Sequence, residues 1–113
     1  MVASKTELFN EVLQEQANLF KVLAHPARLQ ILHFLAETKT CISGDISEEL
    51  PLSRTTVNQH LKELKACGLI KGHVEGVKMN YCLDYTKIEE MKKLLGNFLD
   101  DFQTPGNFSC QSK

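Results

Sequence analysis

The sequence lacks any uninterrupted apolar run longer than a few residues, so no segment can form the roughly 20-residue apolar helix that crosses a bilayer. Residues 1–20 lack a basic stretch followed by an apolar core, so no secretory signal is expected. A glycine-rich phosphate loop, a Gly-x-Ser-x-Gly elbow and a His-Glu-x-x-His pair are also missing, and with them the local patterns that point to an enzyme. The four cysteines, Cys41, Cys67, Cys82 and Cys110, contain no Cys-x-x-Cys pair, which removes the zinc-ribbon and thioredoxin signatures. Four thiols could close two disulfides, but without a signal the expectation is a cytoplasmic chain with reduced cysteines. No internal repeat or low-complexity stretch occurs. A basic excess is absent too: 13 Lys and Arg face 14 Asp and Glu, a net charge of -1. Taken over the whole chain, that balance argues against a nucleic-acid partner. What is present is 113 residues with 42% hydrophobic side chains, enough for one domain with a core and too little for two catalytic domains.

Apolar periodicity divides the chain. Leu8, Phe9, Val12, Leu13, Ala17, Phe20 and Leu23 recur three or four apart behind Ser4-x-x-Glu7, a capping-box pattern, and predict a first helix ending near Leu23. His25-Pro26 breaks it, and Pro26 opens a second helix through Ala27, Ile31, Leu32 and Leu35. Thr40-Cys41-Ile42 is a short β-prone stretch. Ser43-Gly44-Asp45 then starts a brief helix carrying Ile46 and Leu50, which Pro51 stops. Ser53 is an N-cap for a helix whose Val57, Leu61 and Leu64 make one apolar stripe, closed by Gly68. Leu69 to Val74 and Val77 to Leu83 read as two strands around Glu75-Gly76. Thr86-x-x-Glu89 precedes a last helix whose Ile88, Met91, Leu95, Phe98 and Phe102 repeat at 3, 4, 3, 4. The fold is therefore mostly α with a small β-hairpin wing, in the order α-α-β-α-α-β-β-α, which is the connectivity of a winged helix-turn-helix. Residues 1–102 form this domain, and 103–113, with Thr104-Pro105-Gly106-Asn107, form a loose tail.

The helix after Ser53 carries the functional signal. Its stripe turns one way, so Thr55, Gln59 and Lys62 face the other, flanked by Asn58 and Arg54. These side chains suit a major groove, where Arg takes guanine, Asn or Gln takes adenine, and Thr touches a thymine methyl or a phosphate. An ordinary solvated face has a similar composition. Position as the second helix of a helix-turn-helix decides for DNA.

Ala24-His25-Pro26-Ala27-Arg28-Leu29-Gln30-Ile31-Leu32, then Leu52-Ser53-Arg54-Thr55-Thr56-Val57-Asn58-Gln59-His60-Leu61-Lys62-Glu63-Leu64, then Gly68-Leu69-Ile70, resemble the ArsR/SmtB family of bacterial transcriptional repressors. The likeness covers roughly residues 17 to 84. It implies a homodimer on an imperfect palindromic operator, released by an effector. Matching position by position, it assigns Ser53, Arg54, Thr55, Thr56, Asn58, Gln59 and His60 to the DNA, and the helical wheel adds Lys62. Lys78 lies in the wing, where many relatives carry arginine. A dimer also follows from the last helix, whose apolar stripe, widened by Leu94 and Leu99, exceeds what so small a body can cover. The alternative from another class is a winged-helix protein-interaction or dimerisation module without metal sensing. No aromatic or aliphatic anchor on the outer face favours it.

Metal-sensing relatives place Cys-x-Cys near the third helix, or Asp and His on the last one. Here a single Cys41 is followed by Ile42, Ser43 and Gly44, and residues 86–102 contain no histidine, so no metal site and no cofactor are expected. In winged-helix domains the strand before the third helix commonly pairs with the second wing strand, which would bring Cys41 near Cys82. The pair then forms a thiophilic or redox sensor, or each thiol is a small buried hydrophobe. Cys67 reads as packing, and Cys110 falls in the tail. His25 reads as a cap of the second helix, while His33 and His73 read as structural. His60, near the edge of the stripe, either contacts phosphate or fastens the helix to its neighbour.

Divided by segment, the charge tells a different story. Residues 1–52 carry 4 positive and 7 negative side chains, 53–78 carry 5 and 2, and 79–113 carry 4 and 5. The positive excess falls on the recognition helix and wing, and the acidic surplus elsewhere limits non-specific binding.

Overall fold

In the computed structural model, residues 8–38, 42–43, 46–76 and 78–106 are described. Helix α1 spans Glu11–Leu23 and α2 spans Pro26–Thr38. Strand β1 is Ile42–Ser43, and a 3-10 turn at Ile46–Glu49 replaces the brief third helix. Helix α3 is Arg54–Ala66, strands β2 and β3 are Ile70–Glu75 and Lys78–Leu83, and α4 is Tyr85–Asp100. The strands form one antiparallel sheet in the order β1-β3-β2.

Two helix starts differ from the expected ones. Helix α1 begins at Glu11 behind Asn10, whose Oδ1 accepts from the Leu13 amide at 2.8 Å. Leu8 and Phe9 therefore precede the helix, and the Ser4-x-x-Glu7 pattern lies outside the described residues. Helix α4 starts at Tyr85 and not after Thr86, because β3 ends at Leu83 and frees Asp84 to cap the Lys87 amide at 3.3 Å. It ends at Asp100, so Phe102 lies just past the helix. Residues 103–106 are exposed, and the remainder of the expected tail, with Cys110, lies outside the described residues.

Ser53 caps α3 as the sequence predicts, its Oγ accepting from the Thr56 amide at 3.2 Å. At the other end Gly68, with φ +87°, makes a reversal that places Leu69 beside Leu64. The Gly68 amide donates to the Lys65 carbonyl at 3.0 Å and the Leu69 amide to that of Leu64 at 3.1 Å, so two helix-end carbonyls are satisfied. A Cβ at Gly68 would carry a steric penalty at that φ.

The core sits where α2, α3 and the sheet meet. Ile31 and Leu35 of α2 pack with Val57, Leu61 and Leu64 of α3, with Ile46 and Leu50 below and Leu69, Ile70 and Leu83 beside them. Because the stripe of α3 is wholly committed to this core, its opposite side is forced outward. Helices α1 and α4 contribute little to the core: none of the α4 side chains is buried, and in α1 only Gln16 and Leu19 are. The two helices join through Gln16, whose Nε2 donates to the Leu94 carbonyl at 2.9 Å, and through an edge-on contact of Phe20 and Phe98 at 5.5 Å.

Candidate nucleic-acid interface

The 3-10 turn, Leu50-Pro51-Leu52 and the Ser53 cap lead directly into α3, one side of which lies at the surface. Arg54, Thr55, Thr56, Asn58, Gln59 and Lys62 are all exposed there. The cap is itself polar to solvent, since the Ser53 hydroxyl also donates to Thr56 Oγ1 at 3.0 Å. Helix α3 thus presents a row of donors and acceptors beginning at its positive N-terminal end, where phosphates are favoured. In the hairpin, Gly76 at φ +64° makes the tight turn, and Lys78 stands opposite Glu75 at the tip.

His60 departs from the rest of the predicted set. It is 6% exposed and turned inward, its ring stacked at a tilt 4.2 Å from that of His25. Of the two roles open in the sequence, the geometry has His60 fastening α3 to α2. The Arg28 Nε donates to His60 Nδ1 at 3.1 Å, which fixes the neutral ring with its proton on Nε2, a buried atom without a hydrogen-bond partner among the described residues. Burial first, and then electrostatic interaction with the His25 ring and the Arg28 guanidinium, hold the His60 pKa below its ordinary value of 6.5. His25 also caps α2, accepting from the Ala27 amide at Nδ1, 3.2 Å away.

Sequence reading missed the hub of this cluster. Arg28 shares the inward stripe of α2 with Ile31 and Leu35, and a charge at a core-facing phase is the signal that a partner must be found. Its guanidinium pairs with Glu63 of α3 and donates to the Val22 carbonyl at 3.2 Å. Glu63 in turn accepts from Gln59 Nε2 at 3.1 Å. The outer face of α3 is therefore tied to α1 and α2 through a continuous chain of polar contacts.

Strands β1 and β3 pair antiparallel, with Ile42 opposite Tyr81 and Ser43 opposite Asn80. Cys82 is half-buried and disulfide-bonded, which departs from the expectation that the cysteines are reduced. Cys41 lies outside the described residues. Cys67 is a free thiol whose Sγ donates to the Leu64 carbonyl at 3.2 Å, a packing position against the core. Among the described residues no three His, Cys, Asp or Glu side chains converge on a common point, and no helix is long and apolar enough to cross a membrane.

Helices α1 and α4 form an apolar groove of about 360 Å³ lined by Phe9, Leu13, Ala17, Phe20 and Phe98. Of its lining, Phe9, Leu13 and Phe20 are exposed, and Leu99 and Phe102 are exposed at the end of α4.

Comparison with known proteins agrees with this architecture. Residues 25–71 match the family model described as bacterial regulatory protein, arsR family. The transcriptional repressor PagR of Bacillus anthracis is 34% identical over 83 residues, covering 74% of this chain and 83% of PagR. Among solved structures, an ArsR-like transcriptional regulator from Rhodococcus sp. RHA1 is similar with a TM-score of 0.65 at 25% identity, over 81% of this chain and 86% of that one. Reduced HlyU from Vibrio cholerae N16961 is similar with a TM-score of 0.59 at 33% identity, over 78% and 93% of the two chains.

Proposed function

Because the chain belongs to the arsR family of bacterial regulatory proteins and is thereby a DNA-binding transcriptional regulator, we propose that it acts as a homodimeric repressor on an imperfect palindromic operator in the cytoplasm. The observation that carries the proposal is the exposed row Arg54, Thr55, Asn58, Gln59 and Lys62 on the helix that follows the turn. Arg54, Asn58 and Gln59 read base edges, while Ser53, Thr56 and Lys62 meet phosphates, with Lys78 of the wing on the flanking backbone. A second copy covers the α1/α4 groove and sets the spacing of the two half-sites. The protein-interaction alternative has no support in the relatives, and the outer face of α3 offers no apolar anchor to a partner protein. Selection of bound fragments from genomic DNA tests the reading. An inverted repeat recovered reproducibly supports it, and failure to enrich any sequence refutes it.

The same proposal extends to release from DNA. Cys82, on the strand that pairs with β1, takes part in a disulfide, and Cys41 is the cysteine that the sequence reading expects beside it. The two cysteines act as a thiol sensor. Loss of two electrons and two protons to an oxidant closes the bond, while in the reduced state two thiolates suit a soft ion such as arsenite. Among similar proteins, PagR is named a transcriptional repressor, and one HlyU structure is described as reduced. Treatment of the operator complex with arsenite or a mild oxidant releases DNA from the wild type and not from Cys41→Ser. A wild type indifferent to both discards the sensor.

A further inference from the structure

Glu63 lies one turn beyond Gln59 on α3. One carboxylate oxygen, Oε1, accepts from the Gln59 amide nitrogen at 3.1 Å, and the other, Oε2, pairs with Arg28. Arg28 is itself immobilised, its side chain 14% exposed and two further donors, on Nε and Nη1, engaged by His60 Nδ1 and the Val22 carbonyl. Four residues along a DNA-reading helix, an unpaired carboxylate would repel phosphate. Here the charge is cancelled from behind by a residue of another helix.

The chemistry of this contact dictates the orientation of Gln59. An ionised carboxylate has no hydrogen to give, so the Gln59 amide can meet Glu63 only through its NH2 group. The amide oxygen must then point away, beside the one remaining N–H. One acceptor next to one donor complements the major-groove edge of adenine, which offers an N6 donor and an N7 acceptor. Guanine offers two acceptors, O6 and N7, and leaves the amide oxygen facing another oxygen. We propose that Glu63, anchored by Arg28, is a specificity-determining positioning residue: it fixes the Gln59 amide so that α3 reads adenine and rejects guanine. The inference rests on the proposed reading of α3 as the base-contacting helix.

Glu63→Gln is the decisive variant because it keeps shape and reverses logic. Arg28 can only donate, so it takes the oxygen of the introduced carboxamide and turns that group's NH2 toward Gln59. Gln59 must answer with its own oxygen, and its NH2 then faces outward with both protons available, the complement of guanine. Selection from random duplexes is run with the wild type, Glu63→Gln, Glu63→Ala and the double variant Gln59→Ala/Glu63→Gln. The wild type selects adenine at one position of each half-site, by about 5- to 100-fold over guanine. Glu63→Gln selects guanine there and leaves the other positions unchanged. Glu63→Ala, whose Gln59 amide turns freely, loses the discrimination, and the double variant shows none. Binding to non-specific duplex, which depends on phosphate contacts, verifies in each case that the variant is folded. Identical base preferences for the wild type and Glu63→Gln, or adenine preference surviving in Glu63→Ala, overturn the inference while the operator reading stands. A wild type that enriches no sequence overturns the operator reading itself.

Discussion

Phe9 offers a clean perturbation of the proposed dimer. It stands 60% exposed ahead of α1 and lines the apolar groove against Phe98, so removing it takes little from the folded subunit. Taking a phenylalanine side chain as about 200 Å², the exposed part is about 120 Å². At roughly 25 cal/mol per Å² its full burial is worth about 3 kcal/mol. A two-fold interface contains each residue twice, so one substitution removes up to about 6 kcal/mol per dimer, and about half that if the partner covers only half the exposed ring. At 1.4 kcal/mol per decade, Phe9→Ser therefore weakens association by on the order of 10² to 10⁴. Sedimentation equilibrium over a concentration series gives the dimer constant, and thermal melting of the diluted subunit checks that the monomer is intact. Operator affinity falls with the dimer constant, since one subunit binds one half-site. An unchanged association constant in Phe9→Ser, or a wild type that stays monomeric at millimolar concentration, refutes the assignment of this groove to a second copy.

Three further outcomes follow from the local geometry. Ser53→Ala removes the acceptor for the Thr56 amide and costs about 1 kcal/mol in denaturant unfolding, and Ser53→Asp recovers most of it. Because the folded pKa of His60 lies below 6.5, the unfolded chain binds more protons between those two values, so stability rises with pH across that window. The His60 contribution is complete above pH 6.5 and is lost as the pH falls toward the folded value, where a protonated Nδ1 opposes the Arg28 N–H. Melting curves against pH report this slope, and His60→Gln, which still accepts from Arg28 but does not titrate, flattens it. Lys62→Ala weakens binding to all duplexes alike and lowers the slope of log K against log salt by about 1 per subunit.

Much of this organisation is legible in the sequence because it is local. The 3- and 4-residue spacings in α1 to α4, the proline that opens α2, the Ser53 cap and the glycine turn of the hairpin each act within a few residues, so a window of sequence contains their cause. The two misplaced helix starts are also local, yet they arise from competition. Ser4 and Asn10 are both competent caps, as are Asp84 and Thr86, and residue type alone does not rank them. At α4 the sheet decides: Leu83 is held opposite Ile70, and the Asp84 amide donates to the Leu69 carbonyl at 3.0 Å, so the chain leaves the sheet at Asp84. Long-range polar contacts were the least legible. The Arg28–His60 bond joins residues 32 apart, and nothing in the pattern of α3 distinguishes an inward-turned His60 from an outward-turned one.

That contact changes how the charge of the chain has to be read. The segment 53–78 carries 5 positive side chains against Glu63 and Glu75, and a count by segment debits both acids against the recognition surface. Glu63, however, spends its charge on Arg28, a residue that the same count credits to the acidic N-terminal half. Removing the pair from both segments makes the DNA-proposed face more positive and the body more negative than either tally suggests. The polarity of the molecule is thus sharper in three dimensions than along the chain, and it costs no extra lysine or arginine on the outer surface. On the proposed reading of α3, a regulator built this way approaches DNA by that face, repels it with the rest, and depends on Gln59 and its neighbours for discrimination. The net charge of -1 is then a property of the orientation device and not an argument against a nucleic-acid partner.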